Sequence, residues 1–138
     1  MRIAPKRFFL RLKLIYGLDG VFLMGNFNEI NKRAQKNTGR IQETQSDFMS
    51  AFKKLQQEGY KANALDEKTK EYVALTYAIA DKCEGCIGNH INKLVKLDAT
   101  REEISDIVAV SIVMGGGPAS VYGGYALEAY DEATEEKH

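Results

Sequence analysis

Residues 66–97 read DEKTKEYVALTYAIADKCEGCIGNHINKLVKL. Asp66 has the short carboxylate side chain that caps free backbone N–H groups, so a helix is expected to start there and to run through KTKEYVALTYAIA. From Tyr72 to Ala80 that helix is apolar almost all round, which places it centrally in a bundle. Residues 84–97 predict the next helix. No segment of the chain alternates apolar and polar residues as a half-buried strand would, so the expected fold class is all-α, and the CxxC within it does not imply a thioredoxin-type sheet.

Outward from this pair, Phe48, Ala51, Phe52 and Leu55 recur at spacings of three and four, which predicts a helix over about 44–58 with one buried face, ended near Gly59. On the other side, Thr100 and Glu103 form a capping-box signature for a helix carrying Ile104, Ile107, Val108 and Ser111. Gly115-Gly116-Gly117-Pro118 then reads as a tight interhelical connection. A last helix, from about Ala119 to Glu135, turns Val121, Tyr122, Tyr125, Ala126 and Ala129 toward a core or a subunit boundary. The glycine run lacks the strand before it and the Gly-Lys-Ser/Thr ending of a phosphate-binding loop. The 138 residues suit one domain. We divide the chain into residues 1–40, a basic arm or docking segment, and residues 41–138, the helical domain. Within the arm, Phe8, Phe9, Leu12, Leu14 and Ile15 could form an amphipathic turn or short helix that docks on the body.

Charge separates the same two parts. The net charge is 0, but residues 1–40 hold nine Lys or Arg against two Asp or Glu, and residues 41–138 hold ten against seventeen. No basic recognition helix accompanies the positive end, so a solvated arm or an oligomer surface is expected there and nucleic acid is not. No run of about 18 apolar residues suggests a membrane span, and no cleavage site follows the basic start, so a cytoplasmic location is expected. In a reducing compartment, two cysteines this close are better explained by catalysis or metal binding than as a structural staple.

The chemistry is concentrated in Cys83-Glu84-Gly85-Cys86-Ile87-Gly88-Asn89-His90. At about 100° per residue, Cys83 and Cys86 lie one turn apart and Cys86 and His90 form an i,i+4 pair, so all three share a helix face, with Leu94 and Leu97 continuing it and Ile87 and Ile91 beside it. That stripe is expected to turn inward and line a small, mostly apolar pocket. Free N–H groups in a first helical turn lower a thiol pKa, and His90 can accept the proton of Cys86. A thiolate so formed attacks a peroxide O–O bond to give a sulfenic acid, which the second cysteine condenses to a disulfide for an external dithiol to reduce. Cys86 is assigned as attacker from its register with His90; the other order, with Cys83 as the exchanging thiol, stays open. Glu71, twelve residues before Cys83, could reach His90 if the two helices pack antiparallel, or could instead pair with Lys68 on the surface. A zinc site of Cys83, Cys86 and His90 is disfavoured because these side chains lie along one helix and lack a clear fourth ligand. No metal and no cofactor are expected, and His138 is given no role.

With these residues, the sequence resembles the carboxymuconolactone decarboxylase superfamily on its alkylhydroperoxidase D-like side. The resemblance rests on Glu71, the KCEGCIGNH segment ending at His90, MGGGPA at 114–119 and the tyrosine-bearing last helix, and covers roughly residues 40–132. It implies an all-α fold, homo-oligomers such as trimers or hexamers with helices packing across subunit boundaries, and hydroperoxide reduction supported by an external dithiol or reducing protein. It also implies Cys86 as the peroxide-reacting cysteine, Cys83 as its disulfide partner, and His90 with Glu71 as the proton relay. The best-studied peroxidase members carry a histidine between the cysteines where this chain has Gly85. Two other functions are weighed against this one: a lactone decarboxylase, which has no use for a dithiol, and a non-enzymatic helical module in which the dithiol senses redox state.

Overall fold

The computed structural model describes residues 26–135, which form five α-helices and, among the described residues, no strand: α1 Phe27–Thr44, α2 Ser46–Tyr60, α3 Glu67–Ala80, α4 Glu84–Lys96 and α5 Arg101–Glu135. The all-α expectation holds. The amphipathic segment expected around Phe8–Ile15 lies outside the described residues.

The helix starts follow their capping residues. The Asp66 carboxylate accepts from the Thr69 N–H at 2.7 Å, as the sequence predicted for α3. At the start of α5 the capping box closes in both directions: the Thr100 N–H donates to Glu103 Oε2 at 2.7 Å and the Glu103 N–H donates to Thr100 Oγ1 at 3.2 Å. Gly116, with φ 64°, breaks α5 where the GGGP segment predicted a connection. The two arms fold back on each other, since Arg101 bridges Asp131 at 2.7 Å and Tyr130 donates its hydroxyl proton to the Ala99 carbonyl at 2.9 Å. Gly123 makes this approach possible, because a Cβ there would lie 2.6 Å from Val108 Cγ1. Counted through the break, α5 is long and apolar enough to cross a membrane, but here it is a helical hairpin packed on α3 and α4.

The core lies where α3, α4 and α5 meet. It contains Leu75, Ile79, Ile87, Ile91, Leu94, Ile104 and Ala126, all fully buried. Tyr122 and Tyr125 pack against this core edge to face, with ring centroids 5.4 Å apart.

Two expectations need correction. The face of α2 carrying Phe48, Ala51, Phe52 and Leu55 is exposed; Phe48 and Leu55 are 64% and 68% accessible, and no residue of α2 is buried. The stripe is amphipathic as read, but no other element of the described chain lies over it. Likewise α3 is not enclosed on all sides, since Val73 and Tyr77 face outward.

The sequence offered no strong sign of α1. It runs through residue 40 without interruption and buries only Phe27 and Asn31, with Phe27 packed against Tyr125 at 6.1 Å and its N–H donating to Glu132 at 2.7 Å. Asn31 sits against Gly88 of α4, where a Cβ would come within 2.6 Å of the Asn31 amide.

Candidate functional site

The turn from α3 to α4 is only three residues long, and its geometry sets the first cysteine. Lys82 adopts φ 55°, the Lys82 N–H donates to the Ile79 carbonyl at 3.2 Å, and the Cys83 N–H donates to the Ala78 carbonyl at 3.0 Å. This pair of bonds is a Schellman close to α3, made without the usual glycine. It delivers Cys83 as the N-cap of α4, where its sulfur accepts from the Cys86 N–H at 3.3 Å.

Cys83 and Cys86 are joined as a disulfide, with an S–S distance of 2.03 Å and Cα atoms 5.2 Å apart. Cys86 is exposed and Cys83 half-buried. Ile87, Ile91 and Leu94 turn inward with Gly88 and Val95, but the cysteines and His90, expected on the same inward stripe, lie on its margin. The reason is the 100° step itself. A face centred on Cys86 and His90 is turned about one residue away from the face centred on Ile87 and Ile91, and α3 and α5 cover the latter. The mostly apolar pocket expected there is an open cleft of about 550 Å³, into which Cys83, Cys86 and His90 all face, walled by the apolar Leu65, Val73 and Tyr77 among others.

Behind the cleft stands a buried carboxylate. Glu71 is 1% exposed, and its Oε2 lies 2.6 Å from His90 Nδ1 while its Oε1 accepts from Lys93 Nζ at 2.8 Å. Burial pushes the Glu71 carboxyl up, but the hydrogen bonds from His90 and Lys93 and the lysine charge outweigh it and hold the pKa below the ordinary carboxylate value. The surface pairing considered for Glu71 does not occur, because Lys68 bridges Glu103 at 2.8 Å instead. With Glu71 accepting at Nδ1–H, a neutral His90 presents Nε2 as a base. Tyr60, the last residue of α2, stacks its ring under Lys93 Nζ at 4.5 Å and lies 6.2 Å from the His90 ring. Burial and the neighbouring Glu71 charge raise the pKa of its hydroxyl.

The structure thus brings together the four residues singled out from the sequence and adds two, Lys93 and Tyr60. Lys93 lies three residues after His90, so both reach the same side of α4. Tyr60 has no such sequence relation to the site. Gly85, between the cysteines, faces α1, and a Cβ there would lie 3.1 Å from Ala34 Cβ. A side chain at this position would press on Ala34, which would have to give by a few tenths of an ångström. Among the described residues, no three or more His, Cys, Asp or Glu side chains are grouped as a metal ion would need.

The carboxymuconolactone decarboxylase family model matches residues 46–130, which is more than half of the chain. The chain belongs to the carboxymuconolactone decarboxylase family. The crystal structure of the apo form of a carboxymuconolactone decarboxylase family protein from Legionella pneumophila is similar, with a TM-score of 0.76 and 41% identity, covering 78% of this chain and 96% of that one. An uncharacterized protein of Cupriavidus necator is 30% identical over 109 residues, spanning 79% of this chain and 93% of its own length. An uncharacterized protein of Haemophilus influenzae is 31% identical over 105 residues, with shares of 76% and 93%. As a family member, this chain has a disulfide beside a His90–Glu71–Lys93 ion-pair network, an arrangement consistent with a thiol-based redox relay.

Proposed function

We propose that the chain is a thiol-dependent oxidoreductase of the alkylhydroperoxidase D-like branch, reducing hydroperoxides through the Cys83–Cys86 couple. The observation that carries this reading is the opening of both sulfurs and His90 into one cleft, with the imidazole backed by a buried carboxylate. His90 Nε2 takes the thiol proton of the exposed Cys86, and the resulting thiolate attacks the O–O bond of the hydroperoxide. The distal oxygen becomes a sulfenic acid on Cys86 and the alkoxide leaves as alcohol, taking a proton from His90. The Cys83 thiol then attacks the sulfenic sulfur, water leaves, and the disulfide forms. An external dithiol restores both thiols by exchange and is itself oxidised. The apolar wall of Leu65, Val73 and Tyr77 favours organic hydroperoxides over hydrogen peroxide.

The same reading places the protein in the cytoplasm, where dithiol reductants are present. It also has several copies assembling. Apolar side chains exposed on α2 (Phe48, Leu55) and at the bend of α5 (Val113, Met114) support that assembly. The test is consumption of cumene hydroperoxide with dithiothreitol, lipoamide and thioredoxin compared as reductants. Turnover is expected with at least one of them and is expected to be lost in both Cys83→Ser and Cys86→Ser. Equal turnover in the wild type and the two variants would end the proposal.

A further inference from the structure

One carboxylate in this site has two cationic candidates. Glu71 is enclosed, and a buried carboxylate without compensation is costly, so at least one of its partners must carry positive charge. Lys93 meets Glu71 Oε1 at 2.8 Å and His90 meets Oε2 at 2.6 Å, each using a separate oxygen. Both come from α4 three residues apart, and the Tyr60 ring lies against both, 4.5 Å from the ammonium and 6.2 Å from the imidazole centroid. The Lys93 side chain is 40% accessible and its ammonium rests on an aromatic face, so its charge is well accommodated.

We infer that Lys93 is a positioning residue whose fixed charge neutralises Glu71 and so leaves His90 free to be neutral, with Nδ1–H donated to Glu71 and Nε2 open to the sulfur side. The inference rests on the reading of His90 as the proton relay and adds what lets it act as a base. With Lys93 charged, the trio Glu71⁻, Lys93⁺ and neutral His90 sums to zero. Without it, the neutral arrangement is Glu71⁻ with imidazolium, which has no free ring nitrogen to accept the thiol proton. The other charged or titratable groups around the ring and its two partners are Glu67 and Lys70 of α3, Asp81 in the turn, Lys53 and Tyr60 of α2, Lys61 just after α2, and the two cysteines. The α1 residues lining the neighbouring groove are uncharged. None of these others reaches the Glu71 carboxylate by hydrogen bond or ion pair, so among the described residues Lys93 alone shares it with His90.

The test is an NMR titration of the His90 ring in the oxidised protein, where the cysteines do not titrate and no peroxide turnover is needed. Lys93→Met should raise the His90 midpoint by about one pH unit relative to wild type. Lys93→Arg, which keeps the charge, should restore it to within a few tenths. If Lys93→Met does not fold, Lys93→Gln serves in its place with the same expectation. An unchanged or lowered midpoint in the folded variant would overturn the inference, and so would an equal rise in Lys93→Arg. Because the readout is independent of peroxide chemistry, the inference and the proposed activity can fail separately.

Discussion

The margin of α4 and the outer face of α2 carry residues that read alike in the sequence, an apolar helical stripe with polar neighbours, yet they end in opposite environments. On α4, Ile87, Ile91 and Leu94 are fully buried under α3 and α5, and the polar residues at the stripe's edge meet Glu71. On α2, Phe48, Phe52 and Leu55 face solvent, and the helix is fastened near its end: Lys70 Nζ donates to the Gly59 and Lys61 carbonyls at 3.0 and 2.6 Å, and Tyr60 rests on Lys93. Periodicity reports that a helix has an apolar side. It does not report whether the same chain supplies something to cover it.

The largest test of this contrast is Glu71→Ala. Removing the carboxylate strands Lys93 and His90 beside a cavity and should cost about 3 kcal/mol in urea unfolding. The same group gives a pH signature. Its folded-state pKa lies below the ordinary value of 4.5, so its stabilisation is fully present above that value and is lost as pH falls through the folded-state pKa. Wild type should therefore lose stability on acidification below about pH 4.5 more steeply than Glu71→Gln. Parallel curves would show that the ion pairs do not differ between folded and unfolded chains.

A smaller effect on the fold is expected from α2. Phe48→Ser combined with Leu55→Ser should leave the Cys83–Cys86 disulfide able to form and should change the stability of the dissociated chain by less than about 0.5 kcal/mol per site. Light scattering should show a lighter assembly. A large loss of chain stability with no change in mass would break the comparison, because it would mean that this chain covers its own α2 face.

Much of the fold was legible because it is written in local chemistry. Asp66, the Thr100–Glu103 box and Gly116 fix helix ends by hydrogen bonds within a few residues or by a backbone angle that favours glycine. The left-handed closes at Lys82 and Asp98 were not legible, since neither position carries the glycine that announces one. For α1 the difficulty was composition: Phe27 and Asn31 are its only buried residues, and Asn31 is held by the shape of Gly88, which no periodicity encodes. In the site, Cys83, Cys86 and His90 were fixed by spacing on one helix. Glu71 depended on α3 and α4 packing so that it reaches His90, which the geometry supplies. Lys93 remained hidden because a lysine on a helix reads as solvated surface until the enclosed carboxylate beside it is known.

The claim on which the account turns is that Cys86, next to His90, is the sulfur that meets the hydroperoxide. Dimedone trapping after one equivalent of cumene hydroperoxide tests it in the two single-cysteine proteins. The account predicts a labelled Cys86 in Cys83→Ser and no label in Cys86→Ser; label on Cys83 in Cys86→Ser, with none in the converse variant, would contradict it.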